Sequence, residues 1–292
     1  MLRLVRLAPA TIWRAFFCVA ALAAAGRAAV PRESPPELAQ VGKPEAEEAA
    51  RILAQFRRAG VAGDFFFEFE LRALPRTGEE RAYPGRLWGG RRAGATVFRL
   101  ELRDDAGRDH RWLIQNGEQA SVWRLVDGKP VELDPAALVA PLLPGLEISA
   151  FDLQMPYLYW PEATLERIAR VFGRPAYAYL FKAPPVPAIR PTTVAAARAY
   201  LDTQFNALMQ TELLDASGRV VKTFALISLK RIAEQHIPKQ ADYRNELSRD
   251  KTRFQVTGAA LNQQLLRGVF EPDGLARPVA PPAEGSIVRV DP

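Results

Sequence analysis

The chain has 292 residues, 48% hydrophobic and 25% charged, which is enough to bury a sizeable core and excludes the disordered and collagen-like classes. Its formal net charge is +6, but residues 1–28 carry four of the 39 basic residues and no acidic one, leaving 35 against 33 and a net charge of +2. A nucleic-acid binder keeps a basic surplus on its folded part, so nucleic acid is not expected as a partner.

Residues 1–28 read as a secretory signal. Arg3, Arg6 and Arg14 precede the apolar run Ala15 to Ala25, and small residues follow from Gly26 to Ala29. The run is too short to span a bilayer comfortably, so cleavage near Ala28 or Ala29 is expected, with an uncleaved N-terminal anchor as the alternative. Cys18, the one cysteine, falls inside this signal, so the mature chain has no thiol for a disulfide, for catalysis or for a metal. Residues 29–44 are a proline-rich linker. From Pro44 to Gly60 the apolar Ala50, Leu53, Ala54 and Phe56 recur at helical spacing among Glu45, Glu48, Arg51 and Arg57, which predicts one amphipathic helix that Gly60 ends.

The period then drops to two. Phe65, Phe67, Phe69 and Leu71 alternate with Phe66, Glu68, Glu70 and Arg72, giving a strand with one dry and one mostly wet face. Phe98, Leu100 and Leu102 repeat the pattern, and Gly85-Arg86-Leu87-Trp88 makes a strand between them, ended by Gly89-Gly90. Turns at Asp104 to Gly107, Asn116-Gly117 and Asp127-Gly128 separate further strands at Trp112 to Ile114 and Val122 to Leu125. Hairpins in series form an antiparallel meander, whose apolar face must be covered by helices, a second sheet or a ligand.

Asp134-Pro135 is placed to cap a short helix through Val139. The stretch Phe151 to Pro161 holds four aromatic rings and two prolines, which predicts a stiff irregular crossing, either an aromatic lip on a cavity or a packed core crossover. Pro161 to Val171 has helical composition, and Tyr177, Tyr179 and Phe181 resume strand alternation. Pro184 to Pro187 and Pro191 predict a stiff loop. Val194 to Met209 looks helical by propensity, yet the Asp215 to Gly218 turn argues for a hairpin with Val220 to Ile232 as its second arm. Thr252, Phe254 and Val256 predict a last strand, Ala259 to Leu266 a short helix, and residues 271–292 a Pro-rich flexible tail.

A signal, one amphipathic helix, a meander containing Gly85-Arg86-Leu87-Trp88, the crossing Asp152-Leu153 with Tyr157 and Trp160, Gly173-Arg174, the hairpin at Asp215 to Gly218 and the ending Lys251-Thr252-Arg253-Phe254 resemble the LolA-like family of outer-membrane lipoprotein-sorting proteins over residues 45–270. The resemblance implies an α+β, mainly β fold: a curved antiparallel sheet forming a half-open barrel, with helices covering its concave face. It also implies a periplasmic carrier whose cargo is a lipid or an acylated lipoprotein, with inner- or outer-membrane transport partners, working as a monomer without a cofactor. In that family an arginine shortly after the Gly-x-Leu-Trp strand helps to hold the closed lid, and Arg91 or Arg92 matches it, although Ala93 stands where the family has proline.

An acyl chain gains about 0.8 kcal/mol per methylene removed from water, so rings and branched aliphatics alone can hold it. The candidate lining is Phe65, Phe67, Phe69, Leu71, Trp88, Phe98, Leu100 and Leu102, with Tyr157 and Trp160 at the mouth. About half of such a strand face is ordinary core whether or not a ligand visits. Catalytic patterns are missing: His110 and His236 lack a carboxylate at ligand spacing, Ser149 and Ser228 lie outside a nucleophile elbow, and Glu68 with Glu70 and Asp104 with Asp105 read as a wet face and a turn. The mix of Lys239, Arg244, Glu246, Arg249, Asp250 and Lys251 reads as a solvated loop. The competing reading is a protein-interaction or sensor module on the same fold that uses the cavity little.

Overall fold

The alternation that opens the meander builds the sheet. A computed structural model describes residues 35, 42–185 and 194–291; the signal, most of the 29–44 linker and the Pro184 to Pro191 loop beyond Pro185 lie outside them. Strand β1 (Asp64–Leu74) pairs with β2 (Arg81–Arg92) and, on its other side, with β13 (Lys251–Gln263). From β2 the meander runs through β3 (Ala95–Arg103), β4 (Asp109–Gln115), β5 (Ser121–Val126) and β6 (Lys129–Glu132). From β13 the sheet continues through β12 (Gln235–Asn245), β11 (Val220–Ile232), β10 (Leu208–Leu214), β9 (Ala196–Asp202), β8 (Arg174–Lys182) and β7 (Glu162–Val171). All neighbours are antiparallel, the order is β6-β5-β4-β3-β2-β1-β13-β12-β11-β10-β9-β8-β7, and β6 and β7 remain unpaired edges, so the barrel is half open as expected.

The inner face carries two apolar clusters. One joins Phe65, Phe67, Phe69 and Leu71 to Leu87, Phe98, Leu100, Leu102, Phe254 and Val256. Gly85 and Gly89 of β2 make room for the rings, since a Cβ there would lie 2.3 Å from Phe69 Cζ and 2.2 Å from Phe65 Cζ. This close approach explains why glycines run on inside the strand: β2 continues through Gly89-Gly90 to Arg92 instead of ending there. The second cluster lies under helix α1 (Ala46–Arg58), which buries Ala49 and Leu53 against Tyr157, Trp160, Tyr179 and Phe181.

The aromatic crossing is more regular than its prolines predict. Ser149 caps α3 (Ala150–Gln154) in a reciprocal capping box with Asp152, Met155 turns through a left-handed conformation (φ 49°), and Pro156–Tyr159 form a 3-10 turn. Helix α2 (Pro135–Leu138) starts at Asp134 as read.

Four sequence readings are corrected. The Glu162–Val171 segment is strand β7 and not a helix, because β8 pairs with it along its length. Val194 to Met209 holds β9, a turn and the start of β10, in keeping with the hairpin that the Asp215 to Gly218 turn argues for, whereas Ala259 to Leu266 mostly continues β13 beside β1 instead of forming a helix. The charged stretch from Lys239 is the second half of β12 with its turn, where Glu246 is fully buried against Arg249 at 3.2 Å. Finally, residues 271–291 are not a loose tail but pack on the outer face of β1 to β5. There Leu275 is fully buried with Phe66, Trp88 and Phe270, and β14 (Val288–Arg289) pairs with β13. Their proline content excludes long regular elements but not contacts.

Candidate functional site

The open seam between the β5–β6 edge and β7 is where the inner face meets solvent. Leu138 of α2 touches both inner clusters there. A hollow of about 390 Å³ lies at the seam, with Val122, Leu133, Leu138, Pro156, Trp160 and Pro161 among its lining. It adjoins a second hollow of about 580 Å³ through the shared Gly117, Glu118, Gln119 and Tyr159, and the second is lined on its far side by Arg57 and Arg58. The result is a groove with an apolar patch at one end and two arginines at the other, with Glu118, Gln119, Ser121, Glu132 and Gln154 also in its lining, in the size range of small-molecule sites.

Helix α1 and the crossing form its roof, and polar contacts hold them down. The Arg57 Nε donates to Leu158 O at 2.7 Å, its guanidinium stacks 5.5 Å from the Tyr159 ring, and burial lowers its pKa while Tyr159 and Glu118 offset this. Tyr179, whose phenol burial pushes up to about 12, donates to Ala49 O at 2.8 Å, and the Asn206 amide donates to Ile52 O at 3.0 Å. Lys222 of β11 reaches Asp152 at 2.6 Å and ties α3 to the sheet, and the buried Tyr157 hydroxyl meets Thr211 Oγ1 at 3.0 Å. Burial keeps that phenol well above its ordinary pKa, so it stays neutral.

The residues expected to line a cavity divide three ways. Phe65, Phe67, Phe69, Leu71, Phe98, Leu100 and Leu102 do share the concave face, but as packed core: the tilted rings of Phe65 and Phe67 lie 4.8 Å apart, and Phe69 stacks on Phe254 at 4.8 Å. Tyr157 and Trp160 lie in the second cluster, and Trp160 reaches the seam hollow. Trp88 is on the wrong side. It pairs with Phe66 rather than Phe67, so it faces outward and is buried under the C-terminal segment.

The two arginines also separate. Arg91 Nη1 donates to Ala59 O at 3.2 Å, the carbonyl just past α1, and its Nη2 meets Gly94 O, so it fastens the end of the roof helix. Arg92 instead grips Asp64 with two bonds of 2.7 and 2.9 Å and covers the Phe270 ring at 4.4 Å, which is outer-layer packing. Arg57 is legible in the sequence as a base at a helix C-terminus but not as part of a groove, and nothing local marks Leu133 and Leu138 as neighbours across the seam.

No family profile and no curated protein matches the chain. Solved structures do. An outer membrane lipoprotein-sorting protein domain from Vibrio parahaemolyticus superposes with a TM-score of 0.68 at 14% identity, covering 80% of this chain and 100% of the other. A DUF1329 family protein from Desulfovibrio piger gives 0.67 at 12% identity, covering 78% and 98%. LolA superfamily protein NE2245 from Nitrosomonas europaea gives 0.60 at 15% identity, covering 77% and 98%. At such identities the likeness is one of fold, and the chain has the LolA-like, half-open barrel fold of these structures.

Proposed function

We propose that this chain is a non-enzymatic periplasmic carrier that binds a lipid or the acyl chains of a lipoprotein in the seam groove. The observation that carries the reading is the groove's polarity: Leu133, Leu138 and Trp160 at one end suit a hydrocarbon chain, and Arg57 and Arg58 at the other suit an anionic head. Ten methylenes withdrawn from water supply about 8 kcal/mol, enough for useful binding without a charged contact. The fold shared with a lipoprotein-sorting domain supports the assignment but does not by itself establish function.

The test is mass spectrometry of organic extracts from residues 29–292 produced in a periplasm, beside Leu138→Glu. Stoichiometric lipid or acylated peptide, lost in the variant while circular dichroism is unchanged, supports the carrier. An empty protein that also refuses added lipid overturns it. A second reading has its own observation: the inner face is filled by the chain's own rings, as a protein-interaction module using the same fold would allow. It predicts partner capture that survives Leu138→Glu.

A further inference from the structure

Strands β12 and β13 separate halfway along. They pair between Gln240 to Arg244 and Lys251 to Gln255, but Gln235 to Pro238 pair with β11 alone. Pro238 has no N–H to offer a neighbour, which suits a position at a split. On the other side of the gap, β13 beyond Val256 keeps β1 as its long partner.

The chain's own C-terminal residues fill this split. Val288 and Arg289 pair with Ala259 and Gly258, and the Val290 N–H donates to Thr257 O at 3.0 Å. The Val290 side chain, only 4% exposed, joins Ile237, Val256 and Ala259 in the inner cluster, while Ile287 packs on the outer one with Phe66 and Trp88. Residues 287–290 therefore pass through the wall of the barrel. Their hold is light: two paired residues, ion pairs from a 56% exposed Arg289 to Glu68 and Glu284, and a Val288 that is 47% exposed. The segment before them is anchored separately, because the fully buried Arg99 donates to Gly274 O and Arg277 O at 2.9 and 2.7 Å. Residues 278–283 join the two as an arm without regular structure.

We propose that residues 287–290 are a displaceable stopper in a lateral split of the barrel wall, and that an acyl chain reaches the interior by taking the place of the Val290 side chain. The acyl step rests on the carrier reading and adds to its seam groove, between the β5–β6 edge and β7, a second way in. Ile237→Cys, made in the chain lacking its signal, reports opening without any ligand through its rate of thiol labelling. Ending that chain after Ser286, or adding Val290→Asp to it at full length, is expected to raise labelling about tenfold or more, the change in open population that the loss of one buried valine brings. Uptake of N-phenyl-1-naphthylamine by the truncated chain with native Ile237 should speed up by a similar factor. A cross-strand disulfide from Ala259→Cys with Val288→Cys should slow uptake until it is reduced. Labelling that neither change accelerates overturns the stopper, and uptake indifferent to the disulfide overturns the acyl step, because the dye then enters elsewhere. If labelling responds but no version takes up the dye, the split opens as proposed and the acyl step falls with the carrier reading. If the truncated chain does not fold, Val290→Asp and the disulfide decide.

Discussion

Replacing Arg99 with methionine tests whether the C-terminal segment is a structural layer. The guanidinium is fully buried and donates to Gly274 O, Leu275 O and Arg277 O at 2.9, 3.4 and 2.7 Å, and to Glu101 at 2.6 Å. Burial pulls its pKa down, and Glu101 beside it keeps it charged. Methionine fills a similar volume but removes the donor from Arg277 O, leaves Gly274 O with the Arg277 N–H at 3.1 Å and Leu275 O with Arg111 at 3.2 Å, and leaves Glu101 with Arg111 alone at 3.2 Å. Removing one member of a buried, hydrogen-bonded pair costs about 3–5 kcal/mol. For a domain of this size that lowers Tm by about 6–20 °C. Arg99→Met with Glu101→Met should recover part of the loss, since the stranded carboxylate is then gone. Differential scanning calorimetry measures the shift, and hydrogen exchange should show residues 271–277 losing protection. A Tm within roughly 2 °C of the parent, or a lower Tm with those amides as protected as before, would refute the assignment.

Other consequences are equally open to measurement. Leu138→Glu should remove bound ligand at unchanged fold, whereas Trp88→Glu should strongly destabilise the chain, because losing the ring empties the layer around Phe66 at a cost of about 3–5 kcal/mol even though Arg99, 5.9 Å from the native ring, faces the new carboxylate; circular dichroism separates the two. Gly89→Val should destabilise by about 1–3 kcal/mol in urea titration, because its side chain must displace the Phe65 ring. Arg91→Ala should leave Tm nearly unchanged and speed hydrogen exchange at the C-terminal end of α1, by freeing the Ala59 carbonyl. Asp64 sits below the ordinary carboxylate pKa, chiefly through its hydrogen bond from Arg92, so its contribution is complete above about pH 4 and is lost as pH falls through the lowered value. With Arg92 36% exposed the contribution stays within about 1 kcal/mol, and the stability gap between parent and Asp64→Asn should close on acidification.

The elements legible in the sequence were those whose signal is local. Period-two alternation marked β1, β3 and β8, Asp-Gly and Asn-Gly pairs marked the hairpins, and the charge order of Glu45, Glu48, Arg51 and Arg57 marked α1. The order of these parts was enough to expect a half-open barrel under helices. Tertiary pairing decided the rest. Glu162 to Val171 has helix-forming composition, but its backbone is taken up by β8, and Ala169, Ala176 and Ala178 are fully buried together beside Tyr200. Which side of β2 faces inward depends on register with β1: Leu87 opposes Phe67 and Trp88 opposes Phe66, so one residue of offset moves a tryptophan from cavity to outer layer. Proline-rich composition correctly excludes long helices and strands from residues 271–291, yet it carries no information about Arg99, a residue 175 positions from Gly274 that binds it. Local patterns set which face of an element is apolar; only the assembled sheet determines what covers that face, because its partners come from distant parts of the chain.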